Sequence, residues 1–341
     1  LTSADAVMTR RQDVRTQMGE VIGLLPTLDT PVPSTVTRTT RRDGYRIEHL
    51  IFESLPGLKV TAAVYVPDGP GPFPAVLGTA GHADEGKASA TYQHVWVSLA
   101  RRGFVVLAYD PPGQGERFEY LDPVTGRSRV GAGTREHMMT GLQVLLTGRT
   151  IAAYMVQDGR RALDYLRARP DVDATRIAVA GNSGGGTQAA LLGASEPRLA
   201  AVVASCYITS WSDMWLTPGP QDSEQILPGF LTRGLDFADF AVAAAPRGFL
   251  VSSAIQDYFP IAGSRGASTE LRAIYDALGA PDRLARVEND APHGWSQPLR
   301  EGAYRALGAW LGRPGQPDTE APVTPEPVEA LRSTPTGQLV S

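Results

Sequence analysis

The run Gly181-Asn182-Ser183-Gly184-Gly185 sets a serine among glycines, with the apolar stretch Arg176–Ala180 before it and Thr187–Leu192 after it. A strand turning sharply into a helix there would hold the serine in strained backbone and present its Oγ at the tip of the turn. A serine hydroxyl is a weak nucleophile near neutral pH, so it needs a base, and the base needs an acid to orient it. Of the five histidines only His293 follows Ser183, in Pro292-His293-Gly294 just behind the strand-like stretch Leu284–Glu288. Asp257 stands two residues past another such stretch, Phe249–Ile255, and is the expected acid. Asp213, in the loop after Ala200–Cys206, is its rival, while Asp236 and Asp239 read as loop or helix-cap residues.

Acyl transfer through such a serine also needs two backbone N–H groups aimed at the developing oxyanion. The residue after the nucleophile, Gly184, supplies one. The loop behind the stretch Ala75–Thr79 supplies the other, which makes the His82 N–H the expected second donor. His82, Asp84 and Glu85 do not have the spacing of a metal-ligand set, and no other His/Cys cluster accompanies them. Neither a metal nor an organic cofactor is expected.

The elements that must hold these groups are legible as an alternation. An amphipathic helix over Ala4–Leu25 comes first, then strand-like stretches at Val36–Arg41, Tyr45–Glu53 and Lys59–Val66 that read as an antiparallel entry. From Ala75 onward strands and helices alternate: strand Ala75–Thr79, helix Thr91–Arg101, strand Phe104–Tyr109 and helix Ile151–Arg167 precede the elbow. Beyond it come strands Ala200–Ala204, Phe249–Ile255 and Leu284–Glu288, with helices Leu271–Leu278 and Tyr304–Leu311. The fold class is therefore α/β: an α/β-hydrolase fold with a mainly parallel central sheet, helices on both faces, an N-terminal helix and antiparallel entry strands. Right-handed crossovers put the strand C-termini on one edge, where ligands bind. The expected organisation is one catalytic domain over 1–312, with 1–30 as its N-terminal helical segment, and a Pro-rich tail or linker over 313–341.

Composition narrows the function. At 341 residues, with 42% hydrophobic and 20% charged residues, the chain can bury a large core. A net charge of −4 gives no footprint for nucleic acid. The single cysteine, Cys206, excludes an internal disulfide framework and reads as a buried small hydrophobe. No apolar run has the length of a membrane span. The chain begins at Leu1, so a removed secretory signal, and hence a secreted or periplasmic location, is the expectation. The loop Tyr207–Phe230 is long for a connection, and its Tyr207, Trp211 and Trp215 are candidate contacts for substrate. Oligomeric state is not readable.

Taken together these segments resemble the acetyl xylan esterase-like family of α/β hydrolases, close to the prolyl-oligopeptidase-type and dienelactone-hydrolase-like catalytic domains. The resemblance runs from about Asp43 to Leu311. It rests on Gly81-His82 with Glu85-Gly86-Lys87, Tyr109-Asp110-Pro111-Pro112-Gly113-Gln114-Gly115-Glu116-Arg117, Glu136-His137-Met138, the elbow, Asp257-Tyr258-Phe259-Pro260 and Pro292-His293-Gly294. It implies ester hydrolysis, often deacetylation of plant polysaccharides by secreted bacterial proteins, with Ser183, Asp257 and His293 at the triad positions. Thr79-Ala80-Gly81-His82 departs from the commoner His-Gly ending of that strand. Two alternatives remain: a prolyl-oligopeptidase-like serine peptidase, for which residues 1–74 are too short to form the gating propeller, and a non-catalytic binding protein on a hydrolase scaffold.

Overall fold

The computed structural model describes residues 3–217, 222–313, 315 and 317–339. In chain order the elements are α1 (Ala4–Ile22), β1 (Ser34–Arg42), β2 (Tyr45–Leu55), β3 (Leu58–Pro67), β4 (Phe73–Thr79), α2 (Ala90–Arg101), β5 (Val105–Tyr109), β6 (Leu121–Asp122), β7 (Arg127–Ser128), α3 (Thr134–Leu145) and α4 (Ile151–Arg167). They continue with β8 (Val172–Asn182), α5 (Gly184–Ser195), β9 (Ala201–Ser205), α6 (Trp211–Met214), α7 (Ala238–Ala244), β10 (Gly248–Gln256), α8 (Ile261–Ala277), β11 (Leu284–Pro292) and α9 (Gln297–Trp310). These form two compact units. One holds Leu1–Gly23, Ala178–Gln221 and Gln225–Thr319; the other holds Leu24–Ile177, Asp222–Glu224 and Glu320–Ser341.

In the second of these units the strand order is β1-β2-β3-β5-β4. The pairs β1–β2, β2–β3 and β3–β5 are antiparallel, as the entry strands were expected to be, whereas β4 and β5 run parallel. Every residue of β4 and of β5 is buried, so both faces of these strands are covered. Helix α4 begins at the N-cap Thr150, whose side chain accepts from the Ala153 N–H. Its Arg161 spends its guanidinium on the carbonyls of Leu28, Thr30 and Pro31, pinning the segment that precedes β1.

A buried charge cluster holds the turn after β5. The Lys87 ammonium donates to Asp110 Oδ2 and Glu116 Oε1, both at 2.7 Å, with all three side chains out of water. Burial alone would lower the Lys87 pKa and raise that of Glu116; the opposite charges outweigh it, holding Lys87 above and Glu116 below its ordinary value. The C-terminal residues, which have no apolar period, are nonetheless seated here. Ser333 N and Thr334 N donate to the two Glu116 oxygens at 2.7 and 2.8 Å, and Ser333 Oγ donates to the Ala62 carbonyl.

In the unit that carries the elbow, β8, β9, β10 and β11 lie in that order and all run parallel. Strands β9 and most of β10 are wholly buried. Helix α1 contributes Val7, Val14, Met18, Val21 and Ile22 to the core and ends on Gly23 at φ 72°. The fold is thus the α/β-hydrolase fold expected from the alternation of elements. Helix α8 starts ten residues earlier than its apolar spacing suggested, because its first turns carry Gly263, Ser264 and Gly266 instead of large apolar side chains. Helices α3 and α7 were not among the expected elements either. Among the described residues no helix is long and apolar enough to cross a membrane.

Candidate active site

The elbow is built by β8 running directly into α5. Ser183, the residue between them, sits at φ 60° and ψ −127°, backbone that L-residues rarely adopt. Its N–H donates to the Ser205 carbonyl of β9 at 2.9 Å, which anchors the turn to the sheet. Three residues on, Gly186 lets α5 come in close: a Cβ there would lie 2.6 Å from that same carbonyl. Gly184 is the first residue of α5, so its N–H has no carbonyl one turn earlier in the helix to bond.

Three parallel strands bring the three candidate side chains to one edge. Ser183 follows β8, Asp257 follows β10, and His293 follows β11. His293 Nδ1 donates to Asp257 Oδ1 at 2.8 Å, so its Nε2 carries the lone pair and accepts from Ser183 Oγ, also at 2.8 Å. The Asp257 carboxylate is buried, with only 1% of its side chain exposed, while the imidazole keeps 23%. The Phe259 N–H also donates to Asp257 Oδ1, at 3.0 Å. The rival acid, Asp213, faces elsewhere: its Oδ2 accepts from Ser210 Oγ at 2.6 Å, and that Oγ accepts from the Asp213 N–H as the N-cap of the short helix α6. Asp236 likewise acts as a cap, taking the Trp211 and Phe237 N–H groups.

Two neighbours of the imidazole had no place in the sequence reading of the site. The Tyr258 ring lies against His293, tilted by 31° with centroids 4.3 Å apart, and brings its hydroxyl 3.0 Å from Nε2. An aromatic directly after the acid, at the end of β10, was the available signal. Cys206 lies close by at φ 50°, its thiol directed at the Gly294 carbonyl. Burial, with Asp257 adding to it, pushes this thiol up to about 12, so it stays protonated near neutral pH.

The aromatic candidates separate. Tyr207 is 3% exposed and packs its ring against Phe237, Phe240 and Phe259, so it is core and leaves no face for a substrate. Trp211 leans on Phe237 at 5.4 Å, and Trp215, 6.4 Å from it, is 69% exposed. The Pro218–Pro220 turn of this loop lies outside the described residues.

His82 belongs to the other unit, where its imidazole meets His137 and Glu224. That unit also holds a cavity of about 860 Å³ lined by Glu85, Lys87, Glu116, Arg127, Arg332 and Gln338 among others. None of Ser183, Asp257 and His293 lines it. The reactive geometry, not the size of this cavity, places the candidate site at Ser183.

A strand–serine–helix elbow, parallel strands and a Ser–His–Asp line define an α/β hydrolase. The chain belongs to the Abhydrolase family, whose profile matches residues 2–258. It is 28% identical over 320 residues to Putative hydrolase YtaP of Bacillus subtilis (strain 168), an alignment covering 88% of this chain and all of that protein. Among solved structures it is similar to Methylesterase BT1017, with a TM-score of 0.73 at 24% identity, over 98% of this chain and 70% of that one. It also shares its fold with the acetyl xylan esterase from Paenibacillus sp. R4, with a TM-score of 0.58 at 20% identity over 87% of this chain and 93% of that one.

Proposed function

We propose that this hydrolase is a serine carboxyl-ester hydrolase that works through an acyl-enzyme and removes acetyl groups from carbohydrate esters. The observation that carries the reading is the continuous line from Ser183 Oγ through His293 to buried Asp257, at 2.8 Å for each link. His293 Nε2 takes the Ser183 proton as Oγ attacks the ester carbonyl, and Asp257 holds the imidazole in the tautomer this requires. The carbonyl oxygen becomes an alkoxide facing the Gly184 N–H. As the intermediate collapses, the bond to the leaving alcohol breaks and that oxygen takes the proton from His293. Water, deprotonated by the same nitrogen, then attacks the acyl-serine; the acid leaves and Ser183 recovers its proton.

The choice of acetyl esters is supported by the resemblance in sequence and by the fold shared with the Paenibacillus acetyl xylan esterase. Exposed Trp215 offers an apolar face of the kind that stacks on sugar rings. A second reading, with the carbohydrate on the acyl side and methanol leaving, is favoured by the fold shared with Methylesterase BT1017. The test is to assay acetate release from acetylated xylan beside methanol release from methyl-esterified pectin, with fluorophosphonate labelling of the serine in parallel. Labelling with acetate release supports the proposal. Methanol alone selects the second reading, and absence of labelling overturns both.

A further inference from the structure

Four side chains that play no part in the proposed hydrolysis converge in the unit carrying β4 and α3. His82 comes from the loop after β4, His137 from α3, and Asp222 and Glu224 from a short segment far along the chain. His82 Nε2 lies 2.9 Å from Glu224 Oε1, 3.1 Å from His137 Nδ1 and 3.4 Å from Asp222 Oδ2. His137 Nδ1 lies 3.1 Å from Glu224 Oε2. His137 and Glu224 are almost wholly buried, Asp222 nearly so, and His82 keeps 17% of its side chain exposed.

The surroundings hold these atoms together. Gln114 donates to the carbonyls of Gly81 and Ala83, fixing the backbone on both sides of His82. The 222–224 segment is pressed onto α3 where Gly141 leaves room: a Cβ there would lie 2.3 Å from Ser223 Cβ. The carbonyl of Pro112 can only accept, so His137 Nε2, 2.8 Å from it, carries a proton and Nδ1 is the nitrogen turned to His82 and Glu224. This is the way a metal-binding histidine is commonly oriented.

Counting protons shows what the cluster lacks. With both rings neutral, one N–H on His82 faces three acceptors and can serve only one of them. The lone pair of His137 Nδ1 then meets a Glu224 lone pair at hydrogen-bond distance; with His137 charged instead, its Nδ1–H meets an Nε2–H of His82 at 3.1 Å, or the His82 Nε2 lone pair is left against Glu224 at 2.9 Å. A cation with several bonding directions satisfies every contact at once. Four ligands around an ion at 2.0–2.1 Å are separated by about 3.3–3.4 Å, close to the distances found here. Two imidazoles with carboxylates suit borderline transition metals better than calcium or magnesium, which take oxygen.

We propose that His82 Nε2, His137 Nδ1 and the Glu224 carboxylate, with Asp222 beside them, bind a divalent transition-metal ion of the zinc type. The ion clips the 222–224 segment to α3 and to the loop after β4. This reverses the expectation from sequence that no metal is used. The ligands are 55 to 142 positions apart in the chain, so no local spacing motif exists.

The test uses the full chain, stripped by dialysis against a chelator and titrated with Zn²⁺ by calorimetry and thermal unfolding. The expected result is one saturable ion per chain, a Tm that rises with free Zn²⁺, and visible absorption bands when Co²⁺ replaces it. Outer-shell substitutions cost about 10–100-fold in affinity, so His82→Ala, which removes a ligand at a partly exposed position, should lose at least about 100-fold. His293→Ala should bind as tightly as the native chain, which separates this site from zinc held at the triad. No saturable binding by the native chain overturns the proposal, as does equal binding by His82→Ala. A Tm that follows pH but ignores both metals would identify His137 and Glu224 as an imidazolium–carboxylate pair and overturn it equally.

Discussion

Tyr258 Oη lies 3.0 Å from His293 Nε2, the same nitrogen that Ser183 Oγ reaches at 2.8 Å. A neutral imidazole that has given Nδ1–H to Asp257 has one lone pair left, and two hydroxyls address it. Tyr258→Phe keeps the ring against His293 and leaves that lone pair to the serine. The expected kcat on p-nitrophenyl acetate equals or exceeds the native value. A fall of about 100-fold or more would instead make the phenol a donor to the transition state.

The triad geometry ranks the two candidate acids. Asp257→Asn should leave the imidazole in the wrong tautomer and lower kcat by on the order of 10⁴. Asp213→Asn should change kcat little, because that carboxylate serves Ser210 at the start of α6. Ser183→Ala should abolish turnover with the fold intact. Steady-state kinetics on the three variants, with circular dichroism as the control, decide it; near-native turnover by Ser183→Ala removes the serine from the mechanism.

Cys206 sits beside the triad with its thiol pushed up to about 12, mainly by burial. It should therefore resist iodoacetamide at pH 8 in the folded protein and react once the chain is unfolded in urea. Mass spectrometry of the alkylated protein reads this directly. Rapid labelling of the native chain would mean that the thiolate forms and that the pocket around it opens.

The Lys87–Asp110–Glu116 cluster makes a stability prediction. Lys87→Ala leaves two carboxylates buried without a counter-charge and should cost about 3–5 kcal/mol, measured by urea denaturation. Glu116 is held below its ordinary value, so its contribution is present above the unfolded carboxyl range and lost as pH falls through the lower folded value. Lys87 is held above its own, so its contribution is present below the unfolded ammonium value and lost as pH rises through the higher folded one. A Lys87→Ala variant as stable as the native chain would show that the two acids are neutral or hydrated there.

How far the sequence shows this arrangement depends on whether a signal is local. The elbow is five consecutive residues between a strand and a helix, so Ser183 could be named outright. His293 and Asp257 followed from chain order and from strand ends, both readable from apolar runs. Tyr207 misled because an aromatic in a loop after a strand looks exposed, yet its ring is boxed in by Phe237, Phe240 and Phe259. Helix α3 has Met138, Leu142 and Leu145 at helical spacing, a signal that was passed over, and the structure leaves that stripe partly or largely exposed instead of burying it. The seat of Ser333 and Thr334 on Glu116 was invisible, since two backbone N–H groups and the Thr334 hydroxyl make it across more than 200 positions, with no apolar pattern to mark it. His137 and Glu224 could not be paired from sequence, because only the fold brings them within reach of His82.

The substrate prediction rests on the tryptophans. Trp211 is anchored on Phe237, whereas Trp215 and its neighbour Leu216 stand in solvent, 69% and 84% exposed. Exposed aromatic surface costs free energy unless a ligand covers it. If a sugar stacks there, Trp215→Ala should raise KM for an acetylated oligosaccharide and leave KM for p-nitrophenyl acetate, which carries no sugar, nearly unchanged. Losing one stacked ring should cost about 0.5–1.5 kcal/mol beyond area burial, or roughly a 2–10-fold rise in KM. Trp211→Ala should instead lower Tm, because it empties a contact with Phe237, and both substrates should suffer together. Short acyl chains should be preferred, acetate above all. Octanoate esters turned over faster than acetate would sink the deacetylase reading while leaving the Ser183 mechanism in place. Equal KM changes on both substrates for Trp215→Ala would remove this ring from carbohydrate recognition.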